Sequence, residues 1–132
     1  MMTTQPISPA HILFVDDELD LAETYRDILE GFGYRVTVME HAKEALDYLL
    51  THLNSFDLAV TDYIMPDMDG FQLAQEIREL RPDLPIVMMT AYARQFKTEH
   101  LGGLGLQGFL HKPVNPMELQ GTLQRALATV PA

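Results

Sequence analysis

Phe56-Asp57-Leu58-Ala59-Val60-Thr61 runs straight into Asp62-Tyr63-Ile64-Met65-Pro66-Asp67-Met68-Asp69-Gly70. The first segment reads as a strand over 57–61, its apolar core continuous enough for a strand covered on both faces. The second opens with a carboxylate. A charge where a buried strand meets a loop is costly without a partner or a metal. Two other apolar runs end alike: His11-Ile12-Leu13-Phe14-Val15 leads into Asp16-Asp17, and Gly108-Phe109-Leu110-His111 leads into Lys112-Pro113. Three acids and one lysine, each at the C-terminal tip of a strand, read as one site.

Working outward, strands are expected at 11–16, 35–39, 57–61, 85–90 and 107–111, with helical patterns between them. Leu21, Tyr25, Ile28, Leu29 and Phe32 share one helix face, with Gly31 and Gly33 as a stop. Ala42, Ala45, Leu46, Leu49 and Leu53 form a second stripe, and Phe71, Ala74, Ile77 and Leu80 a third that Pro82 cannot continue. Asp69-Gly70-Phe71-Gln72 and Asn115-Pro116-Met117-Glu118 carry helix-start chemistry. Glu18 is expected to cap the first helix. The fourth helix, near 94–101, runs into Gly102-Gly103-Leu104-Gly105, which favours an early end. Five strand–helix units imply an α/β fold with a doubly wound parallel sheet and right-handed crossovers. Such sheets bind ligands outside the carboxyl ends of their strands, where Asp16, Asp17, Asp62, Thr90 and Lys112 all fall. A site of this composition has the chemistry to hold a divalent cation and accept a phosphoryl group.

At 132 residues and 47% apolar content, the chain is long enough for one domain with a real core. Residues 1–10 are expected to form a disordered N-terminal segment, 11–128 the domain and 129–132 a C-terminal tail. The chain has no cysteine, which excludes a thiolate metal site or a cysteine nucleophile and fits a reducing compartment. No apolar run reaches the roughly 18 residues of a membrane span, so a cytoplasmic, membrane-free protein is expected. Nine basic against nineteen acidic residues give a formal charge of −10, which argues against direct nucleic-acid binding. A phosphate added to that field needs a metal and a lysine to offset it.

Taken in order, Asp16-Asp17, Asp62 with Met65-Pro66-Asp67-Met68-Asp69-Gly70, Thr90-Ala91 and Lys112-Pro113 resemble the receiver domain of bacterial two-component response regulators, the CheY-like superfamily. The resemblance covers residues 11–128 and implies a (βα)5 fold, a flavodoxin-like three-layer sandwich around a five-stranded parallel sheet. It implies Asp62 as phosphoacceptor from the phosphohistidine of a histidine kinase or histidine phosphotransfer protein, or from a small acyl phosphate. Mg²⁺ or Mn²⁺ would be held by Asp17 directly, Asp16 through water, Asp62, and the backbone carbonyl of Ile64. Lys112 would pair with the acceptor and then with a phosphoryl oxygen, turned inward by a cis Pro113. Thr90 would donate its hydroxyl to the phosphoryl group and vacate space for Phe109, the aromatic switch. The surface of the fourth helix, fifth strand and fifth helix would then change, controlling a partner, an effector domain or a homodimer contact. On this reading the protein is a signalling module that catalyses only its own phosphorylation and dephosphorylation.

Ile64 and Tyr92, two residues past Asp62 and Thr90, would flank the water that hydrolyses the acyl phosphate. Both are bulky and poorly suited to orient it, which implies slow dephosphorylation. The five histidines show no metal-ligand spacing and are read as surface or packing residues. Three competitors stand beside the main reading. A haloacid-dehalogenase-like phosphatase would carry Asp-x-Asp on one loop, which Asp16-Asp17-Glu18 departs from. A flavodoxin-like nucleotide or flavin binder would need a phosphate-cradling loop where this chain is acidic. A phosphate-independent adaptor would not need the full set of acids and lysine.

Overall fold

The computed structural model describes residues 9–91 and 105–128. Its elements in chain order are β1 (His11–Val15), α1 (Leu19–Gly31), β2 (Arg35–Met39), α2 (Ala42–Thr51), β3 (Leu58–Asp62), α3 (Gly70–Leu80), β4 (Ile86–Thr90), β5 (Gly108–His111) and the C-terminal helix α4 (Pro116–Ala128). The helix expected over 94–101, Tyr92, the first eight residues and the tail from 129 lie outside the described residues. All strand pairs are parallel, in the order β2-β1-β3-β4-β5. Among the described residues, no helix is long and apolar enough to cross a membrane.

Period-two alternation along the strands divides the interior into two cores. Ile12, Phe14, Leu58, Val60, Val87 and Met89 face α1 and the C-terminal helix, meeting Tyr25, Leu29, Leu119 and Leu123. Leu13, Val15, Ala59 and Ile86 face α2 and α3, meeting Ala45, Leu49, Leu73 and Ile77. β3 and β4 are buried along their whole length, as their apolar runs require. The register pairs Val15 with Thr61, Asp62 with Met89 and Thr90 with His111, so the strand tips finish side by side. That alignment is what gathers residues from three strands at one edge.

Two helix ends differ from the periodic reading. Phe32, expected on the buried face of α1, is its C-cap and is half-exposed. Gly33, at φ +101°, turns the chain there. Its N–H donates to Glu30 while that of Tyr34 reaches back to Leu29, the paired bonds of a Schellman stop. Leu53 is also exposed, because α2 ends at Thr51 before the stripe reaches it. Asp69 and Gln72 form the expected capping box on α3. Asn115 Oδ1 accepts from Glu118 N at 2.8 Å, starting the C-terminal helix.

The start of α2 has a different solution. Its N-cap, His41, makes no side-chain cap. Asp67, from the loop after β3, reaches across instead. Its carboxylate accepts from Lys43 N at 2.9 Å and Ala42 N at 3.3 Å. The Lys43 bond above all holds the Asp67 carboxyl below its ordinary value. Asp67→Ala should therefore lower stability by about 1 kcal/mol in urea unfolding. A depressed folded pKa adds stability above the unfolded value, which is lost as pH falls through the folded one. The gap between wild type and variant should thus persist at neutral pH and close only below about pH 4.

Candidate functional site

Each charged side chain of the site is placed by the end of a strand. Asp62 is the last residue of β3. Asp16 follows β1, and its N–H continues the ladder to Met39 O at 3.1 Å. Lys112 follows β5, and its N–H bonds Thr90 O at 2.9 Å. The backbone therefore delivers an acid, an acid and a lysine to one point. All three are nearly enclosed, at 1%, 8% and 7% exposure for Asp16, Asp62 and Lys112.

Lys112 Nζ lies 2.7 Å from Asp16 Oδ2 and 3.3 Å from Asp62 Oδ2. The sequence reading pairs the lysine with Asp62, but its shorter contact is to Asp16. The remaining carboxylate oxygens are satisfied by backbone. Asp16 Oδ1 accepts from Glu18 N at 2.9 Å, and Asp62 Oδ1 from Tyr63 N at 2.8 Å. Ion pairs this enclosed hold only when their hydrogen-bonding capacity is filled. Desolvation pushes the Asp62 carboxyl above its ordinary value; Lys112 opposes the shift and the charge on Asp16 adds to it. Burial alone would lower the Lys112 ammonium. The hydrogen bond and charge of Asp16, with Asp62 behind them, outweigh burial and the net shift is upward. The lysine is held as an ammonium between two carboxylates.

Asp17 completes the acidic set. One carboxylate oxygen from each of Asp16, Asp17 and Asp62 lies within 4.8 Å of the others. Hard oxygen donors in that number suit Mg²⁺ or Mn²⁺, which bind few carboxylates and keep water. Three acids against one lysine also leave excess negative charge for a cation to neutralise. Asp17, Glu18, Asp62, Ile64, Thr90, Ala91 and Lys112 line a cleft of about 280 Å³ above this cluster.

The remaining expected residues fall nearby. Thr90 closes β4, almost fully buried, on the cleft wall. Ile64 stands half-exposed at the cleft. The Lys112–Pro113 peptide is cis. Phe109 is partly buried on β5, paired in register with Met88. Glu18 departs from its expected role. It occupies the N-cap of α1 without a side-chain cap, and its carboxylate instead approaches Lys112 Nζ at 3.9 Å. Asp16 Oδ1 accepts the N–H of Glu18 itself, just ahead of the helix. His11 bonds Ser55 O and Thr37 Oγ1 and packs against Phe56, which is a structural role at the opposite end of the sheet.

Gly70 sets the floor under Asp62. A Cβ there would lie 2.2 Å from the Asp62 carbonyl oxygen and 3.0 Å from Tyr63 Cα. Its N–H donates to Tyr63 O at 2.7 Å, drawing the start of α3 against the loop. Only a residue without a side chain permits that approach.

A family model for the response regulator receiver domain matches residues 12–124, and the chain belongs to that family. It is therefore a two-component signalling module with a CheY-like fold. The 14.6 kDa protein in the sodA1 3′ region of Leptolyngbya boryana is 40% identical over 129 residues, covering 96% of this chain and 97% of that one. The response regulator SaeR of Staphylococcus aureus is 33% identical over 109 residues. That match covers 83% of this chain but 46% of SaeR, so the chain spans less than half of that relative's length. Among solved structures, the response regulator TrrA of Thermotoga maritima in complex with Mg²⁺–BeF matches with a TM-score of 0.78 and 29% identity, over 89% of this chain and 98% of that one.

Gly70→Ala should force the loop and helix apart, costing about 1–3 kcal/mol by the usual penalty for overpacking. Chemical denaturation would measure it. An unchanged midpoint would mean that the loop accommodates a methyl group beneath Asp62.

Proposed function

We propose that Asp62 accepts a phosphoryl group from a phosphohistidine on a histidine kinase or histidine phosphotransfer protein, and that the resulting aspartyl phosphate controls a partner. The observation that carries this reading is a lysine ammonium clamped between two nearly buried carboxylates, with the acceptor opening on a cleft. An Asp62 carboxylate oxygen attacks phosphorus, the P–N bond breaks and its electron pair leaves with the imidazole. The product is an acyl phosphate. Little covalent help is needed; position and charge neutralisation supply the catalysis.

Asp16, Asp17, Asp62 and the Ile64 carbonyl would hold Mg²⁺ or Mn²⁺, which when bound supplies the positive charge that the phosphoryl oxygens require. The complex of TrrA with Mg²⁺–BeF supports this assignment. Both oxygens of Asp16 are already engaged by Lys112 and Glu18 N, while Asp17 faces the cleft, which favours Asp17 as the direct ligand. Lys112 stabilises the charge on the new phosphoryl group in a largely water-excluded setting. Thr90 donates its hydroxyl to the phosphoryl group, and Phe109 follows into the space it leaves. Phe109 lacks a hydroxyl, so its outward position gains no hydrogen bond from one. The changed surface comprises β5, the C-terminal helix and the chain between β4 and β5. It would meet an output domain, a partner or a second copy.

Incubation with Mg²⁺ and acetyl phosphate should add a single phosphoryl mass to wild type, and none to Asp62→Ala or in excess chelator. An adduct that survives in Asp62→Ala would overturn the assignment. Ile64 presents an apolar side chain where hydrolytic water must enter. Ile64→Asn, whose amide can orient water, should lose its phosphoryl group several-fold faster. Equal or slower decay would remove Ile64 from the hydrolytic path.

A further inference from the structure

We infer that Tyr25 is a positioning residue for Lys112, acting through the backbone of the turn that carries it; the inference rests on the role proposed for Lys112 above. Tyr25 lies on α1, 4% exposed, in the core between that helix and the C-terminal helix. Its hydroxyl oxygen accepts the Val114 N–H at 3.1 Å, a buried bond between residues 89 apart in sequence. Val114 follows Lys112 by two residues, and its side chain is buried in the same cluster. On the other side, the N–H of Lys112 is fixed to Thr90 O. The lysine thus sits between two backbone anchors. One belongs to the sheet, and the other is a single phenolic oxygen.

The same ring also touches the strand that carries the partner acid. Tyr25 stacks on Phe14 with centroids 6.1 Å apart and planes inclined by 20°. Phe14 precedes Asp16 by two residues. One aromatic side chain therefore indexes both ends of the Lys112–Asp16 ion pair, the strand tip by its face and the lysine turn by its hydroxyl. Ring packing alone would keep the core filled. The hydroxyl adds direction, because without it the Val114 N–H is left buried and unpaired and the turn can shift to satisfy it. Phenylalanine at 25 would preserve volume and stacking while deleting that anchor.

The experiment compares wild type, Tyr25→Phe and Leu29→Val. The last lies on the same helix, is fully buried, lines no part of the cleft and carries no side-chain hydrogen-bonding group. Two quantities are read: acylation of Lys112 by an N-hydroxysuccinimide ester, normalised to exposed Lys43, and the rate of phosphorylation by acetyl phosphate with Mg²⁺. In Tyr25→Phe, Lys112 should acylate several-fold faster, and phosphorylation should fall about tenfold, within the roughly 10²-fold that a misplaced group can cost. Leu29→Val should move neither, although its melting temperature falls. Wild-type acylation in Tyr25→Phe would overturn the positioning role, as would equal changes in both variants. Should acylation rise without a fall in phosphorylation, Tyr25 positions Lys112 and the role given to Lys112 is what fails. Independently of any variant, the Val114 amide of wild type should exchange slowly with deuterium. Exchange at the rate of an unbonded amide would overturn the inference.

Discussion

The Lys112 ammonium is the interaction on which the site depends. A parallel sheet with aligned tips brings Asp16 and Asp62 into a nearly closed space, and two buried carboxylates cannot both stay ionised there unaided. Lys112 joins them across 96 residues of chain. The direction of the shifts agrees with this account: the lysine is raised despite its burial, and Asp62 is raised by desolvation that the lysine only partly offsets. Removing the lysine would leave uncompensated buried charge, the costly half of any buried ion pair. Structure and chemistry thus share one residue, since the charge that makes the fold tolerable is also the charge a phosphoryl group would need.

The loop after β3 is held more tightly than its glycine and proline content suggests. Asp62 Oδ1 accepts from Tyr63 N, Gly70 N is drawn to Tyr63 O, Asp69 caps α3, and Asp67 caps α2. Asp62 therefore lies in a segment tied to both helices of one face. Met65 adds a buried anchor in the core beneath. Rigid support of this kind suits a nucleophile that must present one oxygen in line with a breaking bond. The α1 side is organised differently, through the Tyr25 ring that contacts both Phe14 and the turn after Lys112.

Much of this was legible in the sequence because its signals are local. Continuous apolar runs at 12–15, 58–60 and 86–89 mark doubly covered strands, and each strand bearing a charge at its end places that charge at the carboxyl edge. The capping residues Asp69 and Asn115 sit three positions before the amides they bond, a spacing that can be read directly. What escaped depends on contacts between distant segments. Asp67 caps a helix that starts 25 residues earlier, and nothing in its own loop announces that. Tyr25 looks like one more apolar position on a helix stripe, and its hydroxyl finds Val114 only once the sheet has formed. Arg78 likewise binds Pro82 O, Leu84 O and Gly105 O, closing the end of the sheet opposite the site through partners up to 27 residues away. Glu18 differs for the same reason: as the residue before a helix it reads as a cap, yet its N–H is bound by Asp16 and its carboxylate approaches Lys112, a residue from the far end of the chain.

The central claim is that Asp62 is the atom-level acceptor, and chemical trapping tests it most directly. Wild-type protein treated with Mg²⁺ and acetyl phosphate, then with borohydride, should yield homoserine at position 62 on peptide mass spectrometry, because hydride reduces an acyl phosphate and spares free carboxylates. Homoserine at 16 or 17, or none in a preparation that carries the phosphoryl mass, would contradict the account.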